Sequence, residues 1–235
     1  MNTVYGRGAV LLQVLLLAAC DRADSGETAS AAAAPTNVVV PAKVAAPVGE
    51  PRLILALGDS LYAGYGLPRG SSLPDALEDR LRRAGVNATL VNAGVSGDTT
   101  AAGRARLAFA LDGLPRKPDL VLLGLGGNDV LRQIAPAETR ANLAAMLEEL
   151  KRRDIAVVLT GMRAPPNLGP EFAATFDAIW PDLAKRYGAA FYPFILDGVI
   201  ADRALMLPDR VHPAAAGVNR IADRLAPIVA KALTG

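Results

Sequence analysis

The chain has 235 residues and a single histidine, His212, so any acid–base chemistry that needs an imidazole must use this residue. His212 stands three positions after Asp209, and Ser60 follows an apolar segment, residues 53–57, within the sequence Gly-Asp-Ser-Leu. A serine hydroxyl is a poor nucleophile near neutral pH unless a base removes its proton, and a histidine held by a carboxylate is the usual base. These residues together suggest a serine hydrolase in which no second histidine is available as the base.

Neither motif identifies a catalytic site by itself. An Asp-x-x-His spacing on a turn before a helix lets the carboxylate reach one imidazole nitrogen and leaves the other nitrogen to face Ser60. However, Gly, Asp and Ser are common in any strand-to-helix turn, and Asp209 also suits the positive N-terminal end of a helix. Each motif therefore keeps an ordinary structural explanation when it is taken singly.

Candidate donors for an oxyanion hole strengthen the catalytic interpretation. Acyl transfer places negative charge on the former carbonyl oxygen, and each preorganised N–H donor stabilises that charge by roughly 2.7 to 4 kcal/mol. Gly97 has no side chain to obstruct its backbone N–H, Asn128 offers a side-chain amide, and Ser60 offers its own backbone N–H. The alternative explanations are a turn glycine for Gly97 and an asparagine that caps local backbone for Asn128.

The elements that must position these residues form an alternating pattern. Apolar runs alternate with helical patterns from about residue 51 onward, which predicts a parallel sheet covered by helices. The five strand candidates are residues 52–57, 88–92, 120–125, 156–160 and 190–192. Ligands of such sheets bind beyond the carboxyl ends of the strands. Because the candidate residues follow different strands, we expect four loops to converge on one edge.

The apolar positions of the helices are assigned to the core and not to chemistry. A Ser72–Asp75 capping box precedes one helix, Gly85 is suited to end it, and Pro136 opens another. Three stripes are expected to face inward, namely Leu73, Leu77 and Leu81; Leu143, Met146, Leu147 and Leu150; and Val218, Ile221 and Leu225. Pro227 predicts a kink or an end in the last helix.

The order of the four motifs resembles that of a known superfamily. The motifs are similar, in content and order, to the four blocks of the SGNH hydrolases, or GDSL esterases. They are Gly-Asp-Ser-Leu, Ser-Gly-Asp-Thr with Gly97, Gly-Gly-Asn-Asp with Asn128, and Asp-x-x-His. The stretches ALGDSLYAGYGLP and VNAGVSGDTTAAG most resemble its arylesterase, thioesterase and lysophospholipase L1 group. The resemblance implies a three-layer, flavodoxin-like, doubly wound fold with five parallel strands, and no metal or cofactor.

The same resemblance implies a role for each motif residue. Ser60 is expected to be the nucleophile, His212 the general base and then acid, and Asp209 the group that orients the imidazole. Ser60, Gly97 and Asn128 are expected to form the oxyanion hole. Four further residues are candidates for an acyl groove, although loop packing explains them equally well: Leu131, Ile134, Pro166 and Leu168. Arg210 departs from the family, which more often has glycine there; it either narrows the site, attracts an anionic headgroup or is simply solvated.

Other classes of function lack their signatures. The sequence has no G-x-S-x-G, Walker A or H-E-x-x-H motif, and one histidine with one cysteine cannot make an ordinary zinc site. The formal net charge is only +2, and no basic run is long enough to follow a phosphate backbone. Nucleic acid is therefore not an expected partner.

The N-terminal region has the pattern of an exported bacterial lipoprotein. Residues 1–19 contain Arg7 followed by an apolar run, as in a signal peptide, and are too short to span a membrane. Leu-Ala-Ala-Cys, ending at Cys20, resembles a lipobox, in which the cysteine thiol receives a lipid; an ordinary cleaved signal is the alternative. Residues 20–50 are expected to be a flexible tether that anchors the hydrolase domain, residues 51–235, to a membrane facing the periplasm.

Three functions remain open at this point. The first is hydrolysis of hydrophobic acyl esters, thioesters or lysolipids, as the closest family group implies. The second is removal of acetyl groups from envelope carbohydrates by the same chemistry. The third is a lipoprotein that binds a lipid or glycan without catalysis, which the presence of every expected catalytic residue disfavours.

Overall fold

The computed structural model describes residues 49–234. The predicted signal peptide, the lipidation site at Cys20 and most of the predicted tether, which ends at residue 50, lie outside the described residues. Within the described part of the chain, no helix combines the length and the apolar character needed to cross a membrane.

Five parallel strands form the central sheet, as predicted. They are β1 (Arg52–Gly58), β2 (Ala88–Gly94), β3 (Leu120–Gly124), β4 (Ala156–Thr160) and β5 (Ala190–Tyr192), in the order β2-β1-β3-β4-β5. This order is that of a flavodoxin-like doubly wound sheet. The expected strand boundaries agree with the observed ones to within two residues.

Helices cover both faces of the sheet. The α-helices are α1 (Ser60–Ala63), α2 (Leu73–Arg83), α3 (Thr100–Asp112), α4 (Gly127–Leu131), α5 (Pro136–Arg152), α6 (Pro170–Asp177), α7 (Ile179–Tyr187) and α8 (Ala215–Ala232). Two short 3₁₀ helices span Pro166–Leu168 and Arg203–Leu205. The Ser72–Asp75 capping box is present at the start of α2.

Alternate residues of the central strands enter two separate cores. In β1, Ile54 and Ala56 pack with α2 and α8, whereas Leu55 and Leu57 pack with α3, α5 and α7. Successive side chains of a strand point to opposite faces, so this division produces three layers. All three predicted helical stripes are buried.

The last helix continues past the proline at which the sequence predicted a kink or an end. The sequence predicts that Pro227 kinks or ends the helix, but α8 continues to Ala232 with Pro227 inside it. Leu225, Ala226 and Val229 on either side of Pro227 are all buried in the core. Pro227 has no backbone N–H to donate, which by itself favours an end to the helix. Burial of this apolar face stabilises the helix beyond Pro227.

Glycines at the ends of three strands make room for α1 above the sheet. Gly58 of β1 is in register with Gly94 of β2 and Gly124 of β3. A Cβ atom on Gly58 or Gly124 would collide with the buried Tyr62 side chain, and one on Gly94 would collide with the backbone of α1. The Tyr62 hydroxyl lies 2.9 Å from Thr160 Oγ1 at the end of β4. This close packing fixes the turn that carries Ser60.

Candidate active site

Ser60 is the first residue of α1, directly beyond the carboxyl end of β1. Asp59 precedes it as the helix N-cap, and Asp59 Oδ1 accepts a hydrogen bond of 3.0 Å from Leu61 N. Gly64 ends this single turn in a left-handed conformation. The short helix therefore holds Ser60 at the edge of the sheet, where the motif order places it.

Asp209 and His212 lie on a closed loop between β5 and α8. An antiparallel bridge between Met206 and Pro213 closes its base, and Leu207 N donates to His212 O at 2.8 Å. Arg210 has a φ of 57°, in the left-handed region that favours glycine. This turn brings His212 N within 3.0 Å of Asp209 Oδ1. The backbone conformation explains why a glycine suits the Arg210 position.

The three side chains form one hydrogen-bonded series. His212 Nδ1 lies 2.7 Å from Asp209 Oδ2, and His212 Nε2 lies 2.8 Å from Ser60 Oγ. Hydrogen bonds from the backbone and the ring of His212 hold the pKa of Asp209 down at about 2, so this carboxylate only accepts near neutral pH. Neutral His212 therefore carries its proton on Nδ1 and presents the lone pair of Nε2 to the serine hydroxyl.

A second carboxyl group lies within the turn that carries Ser60. Asp59 is 3% exposed, and burial raises its pKa to about 6. The negative charges of Asp98 and Asp129 act in the same direction, whereas the hydrogen bond from Leu61 N and positive charge on His212 oppose it. Asp59 and Asp209 therefore differ strongly in proton affinity, although both flank the Ser60–His212 pair.

Gly97 and Asn128 approach each other from two separate segments of the chain. Gly97 has a φ of 89°, and Asn128, in α4, donates from Nδ2 to Asp98 O at 3.0 Å. An amide NH₂ group has two N–H bonds, so one remains for another acceptor. A Cβ atom on Gly127 would lie 3.0 Å from Asp59 Oδ2, which shows how close the Asn128 segment comes to the Ser60 turn. The predicted oxyanion donors therefore belong to the same edge of the sheet.

Asp129, within the Gly-Gly-Asn-Asp motif, is fully buried. Its carboxylate accepts from Thr100 N and Thr100 Oγ1, at the start of α3, and from Thr139 Oγ1 in α5. It therefore ties α4 to two larger helices. The motif identified this segment, but the sequence analysis gave Asp129 no role.

Tyr65 also contacts the site and was missed by the sequence analysis. Its ring centroid lies 4.3 Å from that of His212, with an angle of 33° between the rings, and the side chain is 51% exposed. In the sequence, Tyr65 stands out only as part of the stretch ALGDSLYAGYGLP, which carries the family resemblance. The sequence signal that could have identified Tyr65 is its place between two glycines, five positions after Ser60.

The candidates for an acyl groove occupy two places. Leu131 is 59% exposed at the end of α4, and Ile134 is partly buried after it. Pro166 is exposed on a 3₁₀ turn, and Leu168 packs partly against the core. Leu131 thus lies three residues from Asn128 with its side chain accessible, whereas the packing of Leu168 agrees with the structural explanation.

Among residues 49–234, no cluster of three or more His, Cys, Asp or Glu side chains has the arrangement of a metal site.

A Ser-His-Asp series at the carboxyl edge of a doubly wound parallel sheet is typical of one class of serine hydrolases. The chain belongs to the GDSL-like lipase/acylhydrolase family, whose model matches residues 56–220. It is 39% identical to the arylesterase of Vibrio mimicus, over 77% of this chain and 89% of that protein.

Two further proteins support the same relationship. Thioesterase 1/protease 1/lysophospholipase L1 of Escherichia coli is 36% identical over 74% of this chain and 81% of its own length. The crystal structure of AlinE4, an SGNH-hydrolase family esterase, is 54% identical with a TM-score of 0.68, covering 79% of this chain and 98% of that one. These similarities confirm the family and the fold class that the motifs predicted.

Proposed function

We propose that the chain is a serine esterase that cleaves carboxylic esters or thioesters, with Ser60, His212 and Asp209 as its catalytic triad. The observation that carries this proposal is the series of short contacts, 2.7 Å from Asp209 to His212 and 2.8 Å from His212 to Ser60 Oγ. Since Nε2 presents its lone pair to the hydroxyl, His212 takes the proton as Ser60 Oγ attacks the substrate carbonyl.

The reaction then proceeds in two halves. His212 returns the proton to the departing alcohol or thiol, and the acyl group remains bonded to Ser60. A water molecule next attacks the acyl-enzyme while His212 takes its proton, and the acid is released as Ser60 recovers its hydrogen. Asp209 keeps the ring in the required tautomer and stabilises the imidazolium that forms in each half.

The oxyanion hole in this proposal consists of Ser60 N, Gly97 N and Asn128 Nδ2. Negative charge develops on the carbonyl oxygen during both halves of the reaction, and fixed N–H donors lower its energy most in the transition state. The bond from Asn128 to Asp98 O supports this role, because it orients the amide while its second N–H remains available.

Apolar side chains near the site favour hydrophobic acyl groups as substrates. Among the residues described, six large apolar side chains are exposed, and four lie within five positions of a proposed catalytic or oxyanion residue: Tyr65, Val95, Leu131 and Val211. Of these, Tyr65 contacts the His212 ring directly, and exposed apolar surface beside a site is typical of a binding surface for an apolar ligand. A site for an acetylated sugar would instead present polar groups for the leaving carbohydrate.

Kinetics of single and double variants test the triad. Ser60→Ala and His212→Ala should each abolish nearly all turnover, and the double variant should lose little more, because nucleophile and base act as one unit. Circular dichroism on each purified variant establishes that it is folded. A folded His212→Ala variant that retains more than about a tenth of wild-type kcat would contradict the assignment.

A series of p-nitrophenyl esters tests the substrate class on residues 51–235. Activity that rises from acetyl to medium acyl chains supports the apolar substrate. Strict preference for acetyl would indicate an esterase for acetylated envelope sugars. If a fluorophosphonate probe fails to label Ser60 and no ester is cleaved, the protein is a binding lipoprotein and the proposal is wrong.

The proposal includes export and lipid anchoring at Cys20. The lipobox sequence and the polar residues after it support this, and a tether of about thirty residues would hold the domain roughly 30 Å from the membrane. Cys20→Ser should release the protein from the membrane fraction without changing the specific activity of the domain. A processed Cys20→Ser protein that stays membrane-bound would refute the anchor alone.

A further inference from the structure

A guanidinium group links the nucleophile turn to the loop that carries Gly97. Arg106, in the second turn of α3, donates from Nε to Asp98 Oδ2 at 2.6 Å and from Nη2 to Gly58 O at 2.9 Å. The side chains of Arg106 and Asp98 are only 22% and 12% exposed. Gly58 O belongs to the peptide that leads into Asp59 and Ser60, so one side chain spans both segments.

The backbone of Asp98 connects the loop that carries Gly97 to Asn128. Asp98 O accepts the 3.0 Å hydrogen bond from Asn128 Nδ2, and Asp98 N donates to Val95 O at 3.1 Å within the same turn. Val95 N also donates to Gly58 O, at 3.0 Å. Two routes of hydrogen bonds therefore connect Asn128 with the nucleophile turn, one through the backbone of Val95 and one through the side chain of Arg106.

A second arginine also binds the loop that carries Gly97. Arg132, which follows α4, donates from Nη2 to Gly97 O at 2.8 Å. The Gly97–Asp98 peptide is thus flanked by two guanidinium groups, one that binds Gly97 O and one that binds the Asp98 side chain. Gly97 itself has a φ of 89° and no side chain, so no side-chain contact of its own fixes the loop.

We propose that Arg106 is a positioning residue for the oxyanion hole, setting the distance between Ser60 and the donors Gly97 and Asn128. This inference rests on the proposed function. Oxyanion donors act at 2.7–3.1 Å from the developing charge, and a displacement of about 1 Å can reduce the rate by about 10². The planar fork of arginine binds Asp98 and Gly58 O together, whereas the ammonium of lysine is a single point of charge.

The expected signature is a loss of kcat with little change in KM. Arg106→Met keeps the apolar stem and removes the fork, so kcat should fall by about 10- to 100-fold while KM stays within about threefold. Arg106→Lys should lose less, about three- to tenfold, because one hydrogen bond can still form. If the Met variant does not fold, the Lys variant provides the same test.

Arg52→Met is a matched control. Arg52 at the start of β1 pairs with Asp119 at 3.4 Å, and the two side chains are 37% and 21% exposed. This pair also joins two segments of the central sheet, but it lies at the amino ends of the strands, on the edge opposite Ser60. Its loss should leave kcat and KM unchanged.

A double-variant cycle with Asn128→Ala separates positioning from general destabilisation. If Arg106 acts through the oxyanion donors, Arg106→Met should cost less in kcat when Asn128 is already alanine than in the wild-type background, and the remaining loss should come from Gly97. An unchanged kcat in both Arg106 variants, an equal loss in Arg52→Met, or fully additive losses in the cycle would each overturn the inference. Activity that survives Ser60→Ala would instead refute the proposed triad, so the two failures are distinguishable.

Discussion

The buried carboxyl group of Asp59 makes the stability of the fold depend on pH in a specific direction. Burial raises the pKa of Asp59 from 3.8 to about 6. Between these values the unfolded chain releases the proton while the folded chain keeps it, so the free energy of unfolding falls as the pH rises through this window. Asp59→Asn retains an oxygen that can accept from Leu61 N, but it cannot ionise.

The magnitude follows from the two pKa values. The interval between 3.8 and about 6 corresponds to about 3 kcal/mol, at 1.36 kcal/mol per pKa unit. Relative to wild type, Asp59→Asn should therefore gain up to about 3 kcal/mol in free energy of unfolding between pH 4 and pH 8. Urea unfolding followed by circular dichroism at several pH values measures this difference.

A control carboxylate with the opposite behaviour is available at Asp119. Partial burial raises its pKa, but hydrogen bonds from Arg116 and Leu53 N outweigh this and hold the pKa below its usual range. Its contribution to stability is present above the unfolded pKa and lost only in acid, so the difference between Asp119→Asn and wild type should be flat from pH 5 to pH 8. If the Asp59→Asn difference were equally flat, the reasoning about Asp59 would be refuted.

Three further predictions concern the site. Asn128→Ala should lower kcat by roughly 10² to 10³ with a smaller change in KM in steady-state assays, and a variant that loses only substrate affinity would contradict an oxyanion role. Asp209→Asn should reduce kcat less than His212→Ala does, because it misorients the ring without removing the base; an equal loss would argue against that division of roles. Tyr65→Leu removes the ring that lies 4.3 Å from that of His212 and should lower kcat/KM about three- to tenfold, as expected for an aromatic contact of about 0.5–1.5 kcal/mol; no change would show that the contact is incidental.

Much of this architecture could be predicted because its signals are local. Continuous apolar runs indicated buried parallel strands, and the order of the strands then brought Ser60, Gly97 and Asn128 to one edge. The Asp-x-x-His spacing indicated that the two side chains could meet, since both lie in the same turn, but by itself it did not identify a catalytic site. The sequence left open whether that turn faces Ser60, a contact between residues 152 positions apart.

The residues that sequence analysis missed act through long-range contacts. Arg106 meets Gly58 O across 48 positions and is one arginine among many, so no spacing rule marks it. The pKa of Asp59 depends on burial, which no local pattern reveals for an aspartate in a turn. Pro227 does not end α8 for a related reason, because packing against the sheet outweighs the local preference of proline.

The most direct test of the central claim is to trap the acyl-enzyme and locate the acyl group. Turnover of p-nitrophenyl butyrate is quenched in acid, and the protein is digested and analysed by mass spectrometry. The account predicts one butyryl group on the peptide that contains Ser60, none on Ser60→Ala, and greatly slowed acylation of His212→Ala. A butyryl group on another residue, or undiminished acylation of Ser60→Ala, would contradict it.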